Sequence, residues 1–562
     1  MSINRPTSQS KRFHHHISRW SLMTTCFIFA LLGTIPLEGW AIETRTIDGT
    51  YNNVQNPEWG SADSQLDRTI DPDYQDDIAQ PAEYSRPSPR SISNIVAAQS
   101  ELRFNDMGAT DMVWQWGQFI DHDLDLTTEA HPPEEYDIKI PEGDTYFDPQ
   151  SSGNEIIPFH RSVYDPNTGT DTSNPRQQLN NITSYLDGSM IYGSDPQRAL
   201  ALRTLDGTGR LKTSKKNLLP FNTDGLPNAG GPDPNLFLAG DIRANEQVGL
   251  TTMHTLFVRE HNRLAKRIRK RNRHLTGDQI YERARRRVGA FIQVITYNEF
   301  IPVLLGPKAL SPYGGYNTTV DASAGNIFST AAYRLGHSML SPEIFRLKKN
   351  GKPIRAGHLA LRDAFFAPGL LRQEGGIEPI LRGLSRKLAQ EVDNYVIDDV
   401  RNFLFGKPGE GGLDLVSLNI QRGRDHGLPT YNEARLEYGF TPAADFSQIS
   451  SDPEIQERLA LAYDHQIEMI DVWVGGLAED HVPGALVGPL FFKILKEQFE
   501  RFRDGDRFFY KNMYSRYEIK RLENTTLADI IRRNTRIGHE IQDNVFRLSH
   551  KKYRKHARDH DD

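Results

Sequence analysis

Along this chain the apolar positions recur at intervals of three and four, the period of helices that bury one face. The clearest such stretches are 93–102, 109–124, 250–273, 278–305, 326–340, 377–386 and 455–473. Asp111, Thr251 and Asp278 stand near three of the starts, where a side-chain oxygen caps free N–H groups. Strand-like alternation is short and scarce, so the pattern predicts a mainly α fold. No internal repeat or low-complexity linker divides it, which predicts one large helical domain over 96–548 with long loops and little β structure. Residues 42–95, rich in Asn, Asp, Pro and Ser, read as an extended arm with turns packed on that domain. Residues 132–178 and 206–235 read as long surface excursions, and 549–562 as a charged flexible tail.

Composition adds constraints. A hydrophobic fraction of 37% with 25% charged residues fits a soluble globular protein. The net charge of −6 gives no reason to expect a nucleic-acid partner. A cationic cluster from Arg263 to Arg273 reads as a solvated helix face. Near the N-terminus, Lys11, Arg12 and Arg19 precede the apolar run 22–37 and then Gly39, Trp40 and Ala41. That is the layout of a cleaved secretory signal over 1–41, predicting a secreted or periplasmic protein without stable membrane insertion. The single cysteine, Cys26, lies inside that segment. The mature chain then has no disulfide and no thiolate, which excludes thiol catalysis, zinc–cysteine sites and thiolate-ligated haem.

Five segments carry candidate chemistry. In the first, His122 stands between Asp121 and Asp123, four residues after Gln118. Successive helical residues point about 100° apart, so each of the three needs its own partner. The second is 181–189, where Thr183, the Tyr185 carbonyl, Asp187 and Ser189 present hard oxygens at short spacing. With a remote aspartate they suit calcium, although taken alone the segment reads first as an Asx-rich turn. The third places Arg243 and Glu246 before the helix that begins near 250, where a surface ion pair is an equal reading. The fourth, Tyr333 to His337, sets a histidine on an apolar helix, which by itself is more often a core residue than a ligand. The fifth, Leu418 to Pro429, is dense in donors suited to carboxylates or propionates.

Together these segments resemble one family, the animal-type haem peroxidases. WGQFIDHDLDLT (116–127) is similar to its distal-histidine motif, and LTTMHTLFVREHNRLA (250–265) to the helix after its catalytic arginine. YRLGH (333–337) is similar to its proximal-histidine motif and LNIQRGRDHGLP (418–429) to its most specific signature, while RTIDGTYNNVQNPEWG (45–60) fits its arm. The resemblance runs in order from about 45 to 545 and implies a mainly helical haem-peroxidase fold. It implies His337 as the proximal iron ligand with Asn419 accepting from its other ring nitrogen. It implies His122 as distal acid–base catalyst, Arg243 as its electrostatic partner and Gln118 as the group ordering distal water or halide. Asp121 and Glu246 match carboxylates that esterify the haem, Arg334 and Arg422 match propionate-binding positions, and Asp123, Thr183, Tyr185, Asp187 and Ser189 match a calcium site. The implied activity is reduction of hydrogen peroxide to form an oxyferryl haem, which then oxidises bromide, iodide, thiocyanate and phenolic donors.

Three departures qualify the resemblance. Gln247 stands where myeloperoxidase has a methionine bonded to a haem vinyl, which puts chloride oxidation in doubt. The animal enzymes' disulfides are absent, with Tyr51 in place of an arm cysteine, and Tyr185 replaces a frequent Phe. Two rival readings remain. A fatty-acid oxygenase of the same superfamily needs a radical-forming tyrosine three residues before the proximal histidine, where Arg334 stands. A non-catalytic secreted adhesion protein would not need every catalytic position filled. A zinc hydrolase is weaker still, because Arg259-Glu260-His261 lacks the second histidine of HExxH.

Overall fold

The scaffold is organised by two long helices, Val248–Arg271 and Gly277–Ile295, packed against each other. Leu250, Met253, His254, Phe257, His261 and Leu264 supply the buried stripe of the first at helical spacing. The helix Met112–Leu124, which carries His122, lies against it. Trp116 and Phe119 are fully buried there, with ring centroids 5.7 and 5.2 Å from Phe257. Burying each such side chain contributes about 1.5–3 kcal/mol, so His122 is carried by a well-anchored helix. Trp116 Nε1 also donates to Thr296 Oγ1 at 3.2 Å.

This computed structural model describes residues 43–548, and from Thr44 onward they belong to one compact unit. The proposed signal segment 1–41 and the tail 549–562 lie outside the described residues. The fold is mainly α, as expected, with β structure among the described residues limited to three two-stranded antiparallel pairs. One pair joins Ser64–Gln65 to Leu179–Asn180, tying the arm to the segment that follows the first excursion. The arm is further held by Arg45 on Asp506 and by fully buried Arg90 on Asp144 and Asp414. At Gly60 (φ +69°) an added Cβ would come within 2.9 Å of the Tyr185 ring, whose hydroxyl donates to Trp59 O at 2.5 Å. Glycine is required at that close approach.

Several helix limits differ from the periodicity. Over 326–340 the expected single helix is instead Asn326–Thr330, a break at Ala331 (φ −129°, ψ −72°) and a 3-10 turn Ala332–His337. Apolar spacing does not register this tightening, yet it matters: residues i and i+3 eclipse in a 3-10 turn, which sets Arg334 and His337 on one side. The stretch 455–473 divides into Pro453–Ala462 and Val472–Ala478, separated by left-handed Asp464 and His465. The region 93–102 is Pro89–Ile92 followed by a π-turn Ser93–Ala97. None of the three expected residues caps its helix through a side-chain bond. Asp111 occupies its N-cap position but accepts from Ser341 Oγ (2.8 Å) instead of a helix N–H. Gln247 caps the helix Val248–Arg271 by accepting from Gly249 N, while Thr251 bonds back to Ala244 O (2.7 Å). Thr276, with Gln279, forms the capping box beside Asp278. The excursions are not bare surface: Ile138, Ile140, Ile157 and Phe159 form a small core, and Leu211, Leu218 and Leu219 join the main one.

Candidate active site

One cavity of about 470 Å³ is lined by Gln118, Asp121, His122, Arg243, Glu246, Arg334, His337, Asn419 and Arg422. These nine positions come from four separated segments. Much of the remaining wall is apolar, including Leu361, Phe365, Leu404, Leu415 and Leu418. A flat apolar cofactor with anionic edges fits a chamber of this composition, since the apolar wall takes its faces and the arginines its charges.

On the helix Met112–Leu124, His122 is 3% exposed. Burial, then the neighbouring Arg243 cation, holds its pKa well below 6.5. The imidazole is therefore neutral at neutral pH and free to accept a proton. Its Nδ1 lies 3.5 Å from Asp241 Oδ1 and makes no closer polar contact. Asp241 also grips Arg243 through two bonds of 2.9 Å, from Nε and Nη2, and accepts the Arg243 backbone N–H at 2.8 Å. Despite complete burial, the Arg243 cation and then His122 hold Asp241 below the usual carboxylate range. This carboxylate was overlooked in the sequence; its signal was the spacing Asp241-x-Arg243, which lets one aspartate cap the backbone and the side chain of the same arginine.

Arg243 also meets Asp121 Oδ2 at 3.4 Å and donates to Asp125 O at 2.9 Å. Burial raises Asp121 to about 6 and Glu246 to about 7 against the pull of Arg243. Asp125, a further cavity residue missed in the sequence, is pushed well above the carboxylate range by burial and by Asp121. Gln118 donates to Glu246 Oε2 (3.1 Å) and accepts from Gln247 Nε2 (2.9 Å). Gln247 thus belongs to an amide network in the cavity wall.

On the 3-10 turn, burial and then Arg334 pull His337 down to about 3, leaving a neutral ring suited to metal ligation. Asn419 is brought to it by the helix Leu415–Asp425, which Asp414 caps through Val416 and Ser417. The expected contact forms with the opposite amide sense: Asn419 Nδ2 faces His337 Nδ1 at 2.7 Å, while its Oδ1 accepts from Arg334 Nη1 at 3.0 Å. Arg334 takes the oxygen: apart from a bond to Ser329 O, this is the one hydrogen bond its guanidinium makes among the described residues. Burial and Arg422 together lower Arg334 to about 10, marking two cations with too little negative charge between them. Arg422 is partly committed to Asp425 (2.9 Å) and Ser162 (2.7 Å). Tyr333 also lines the cavity, and its hydroxyl donates to Gly117 O at 3.3 Å.

Asp123, Thr183, Asp187 and Ser189 lie outside the cavity, all buried. Asp123 accepts from Gly188 N, Ser189 Oγ and Met190 N, and Asp187 from Ser189 N. Burial, then the Asp187 charge, pushes Asp123 up to about 8. Thr183 Oγ1 and Asp187 Oδ2 have no hydrogen-bond partner. Two mutually repelling buried carboxylates beside orphaned oxygens fit a hard divalent cation. The Tyr185 carbonyl already accepts from Asp187 N at 2.8 Å, which leaves its second lone pair for such an ion.

Compared with known proteins, the chain matches the animal haem peroxidase family over residues 44–546. It is 38% identical to peroxinectin A of Dictyostelium discoideum across 94% of this chain and 100% of that protein. The solved structure of peroxidase A from Dictyostelium discoideum superposes with a TM-score of 0.84 at 36% identity, covering 90% of this chain and all of that one. A fatty acid α-dioxygenase structure from Arabidopsis thaliana superposes at 0.77 with 21% identity, over 90% of this chain and 83% of that one, which is a likeness of fold alone. The chain belongs to the animal haem peroxidase family and is a haem-dependent oxidoreductase of the peroxidase type.

Proposed function

We propose that this protein is a secreted peroxidase that reduces hydrogen peroxide at the expense of bromide, iodide, thiocyanate and phenolic donors. The observation that carries this reading is the pairing of a buried neutral His122 with Arg243, both clamped by Asp241, in the cavity that also holds His337. Bound haem would supply the iron at which hydrogen peroxide is reduced and would store the two oxidising equivalents that the peroxide delivers. The proposed roles of the chain are as follows. His337 would ligate the iron, with Asn419 accepting from its other ring nitrogen. Arg334 and Arg422 would hold the propionates, and Asp121 and Glu246 would form the ester links. His122 Nε2 takes the proton from one peroxide oxygen and returns it to the other, so that one oxygen leaves as water. Arg243 stabilises the negative charge developing on that departing oxygen. Gln118 orders water or halide beside His122.

Phenolic donors are supported by the cavity's aromatic rim. Phe405, 41% exposed, lines the same cavity and packs on Phe365 and Phe366 with centroids 5.3 and 5.2 Å apart. With Gln247 tied into the amide network, no sulfur linkage tunes the haem, so iodide, thiocyanate and bromide are expected to be oxidised well ahead of chloride. Steady-state turnover of the four anions and guaiacol, with oxygen uptake on linoleate, tests this ranking. Chloride oxidation equal to bromide would overturn the substrate reading, and sustained linoleate-dependent oxygen uptake would favour an oxygenase. Secretion rests on the leader pattern of residues 1–41 and is tested by sequencing the mature N-terminus, expected to begin at Ile42.

Because His122 titrates well below 6.5, its base form persists into mild acid. The peroxide step is expected to stay flat from about pH 8 to about pH 6 and to fall only at lower pH, as His122 gains its proton. A midpoint at 6.5 in stopped-flow kinetics would show an ordinary histidine.

Calcium held by Asp123, Thr183, Tyr185, Asp187 and Ser189 would fix the residue next to His122. Since Asp123 must lose a proton near pH 8 to bind a cation, affinity should weaken as pH drops below that value. Calorimetric titration of chelator-treated protein at several pH values checks the slope, and pH-independent affinity would contradict it.

A further inference from the structure

A second cleft, of about 1230 Å³, has no part in the peroxide chemistry. Nine of its sixteen lining residues are Lys or Arg and none is Asp or Glu, in a chain where acidic residues outnumber basic ones by 73 to 67. Three separate segments bring this charge together: the C-terminal half of the helix Val248–Arg271, the loop containing Arg210 and Lys212, and Arg533 at the end of the helix Leu527–Asn534. On the long helix, Arg259, Arg263, Lys266 and Lys270 follow one another at spacings of four, three and four. Such spacing keeps them on one face along about 16 Å of axis.

Part of this charge is balanced from within. Arg263 and Arg533 share the buried Glu260, at 2.6 and 3.5 Å, and Arg210 meets Asp206 at 3.4 Å. The side chains of Lys212, Lys266, Arg269, Lys270 and Arg273 are exposed and have no carboxylate or hydrogen-bond partner among the described residues. Interaction with the helix dipole accounts for Lys270 near a C-terminus. It does not account for Arg210 and Lys212, which face the same cleft from a different loop. Gathering unpaired like charges into a concavity is unfavourable without a counter-ion, and the cleft focuses a positive field.

We infer that this cleft binds a linear acidic polysaccharide carrying sulfate or carboxylate groups. The row of cations matches a polyanion, and Thr204, Thr208 and Thr213 supply hydroxyls for sugar hydrogen bonds. No aromatic side chain lines the cleft, so nucleic-acid bases would find no stacking platform. The expected solvated helix face is in this view one wall of a ligand site.

The test uses the full-length holoprotein with fluorescein-labelled dextran sulfate, neutral dextran of equal length and a single-stranded oligonucleotide, at physiological ionic strength. The triple variant Lys212→Glu, Lys266→Glu, Lys270→Glu is compared with Lys348→Glu, Lys349→Glu, Lys352→Glu, an exposed set of identical charge change elsewhere. The cleft variant should raise the dextran sulfate Kd at least about tenfold and flatten its dependence on salt, with the control set within about twofold of wild type. Glutamine at the three cleft positions reads the same site should charge reversal disturb folding. Equal weakening in both sets would reduce the effect to net charge and overturn the site. So would the absence of dextran sulfate binding to wild type. An oligonucleotide bound as tightly as dextran sulfate, and lost in the same variant, would replace the polysaccharide with nucleic acid.

Discussion

Replacing His122 with alanine is expected to slow the reaction with hydrogen peroxide by about 10³-fold while haem remains bound. That factor corresponds to about 4 kcal/mol of lost transition-state stabilisation. In the proposed mechanism the neutral imidazole accepts the proton beside Arg243, and burial together with that cation keeps it unprotonated. Alanine removes the shuttle and leaves the His337 wall untouched. Stopped-flow absorbance of wild type and variant under excess peroxide measures the ratio. An unchanged rate would remove His122 from the mechanism; lost haem binding would make it a structural residue.

The second large effect is expected from Asp241→Asn. Asp241 holds Arg243 with three bonds and stands 3.5 Å from His122 Nδ1, so one carboxylate sets the position of both distal groups. Asparagine keeps the shape but leaves the largely buried Arg243 cation with Asp121, at 3.4 Å, as its one ion-pair partner among the described residues. Breaking a buried pair in this way costs about 3–5 kcal/mol of stability. The peroxide rate should fall about 10²-fold in the protein that remains folded. Without the Asp241 charge, which raises the His122 pKa, the acid limb of the pH profile should move further down. Denaturation and stopped-flow pH profiles separate the two effects. A variant with reduced stability but wild-type peroxide kinetics and pH profile would confine Asp241 to a structural role.

Much of this site was legible in the sequence because its chemistry is concentrated in short, unusual strings. A histidine between two aspartates on an apolar helix, and a donor-rich segment at 418–429, are hard to explain as packing, and the cavity holds residues from both. The helical fold was legible for a related reason: long amphipathic stretches such as Val248–Arg271 declare their period. What the sequence hid depends on geometry that periodicity cannot register. The break at Ala331 and the tight turn to His337 arise from backbone torsions within an unbroken apolar pattern. Asp241 looked like one more loop acid until the chain brought it 3.5 Å from His122. The sense of the Asn419 amide is set by Arg334, a competitor whose reach spacing does not reveal. The cationic cleft likewise forms only when three segments meet.

The measurement that bears most directly on the central claim is an absorption spectrum of the haem-reconstituted protein, taken before and after one equivalent of hydrogen peroxide and again after adding bromide or guaiacol. The Soret band should change fully on one equivalent of peroxide and return to its starting position when the donor is added. A protein that binds haem and shows no spectral response to peroxide would contradict the account.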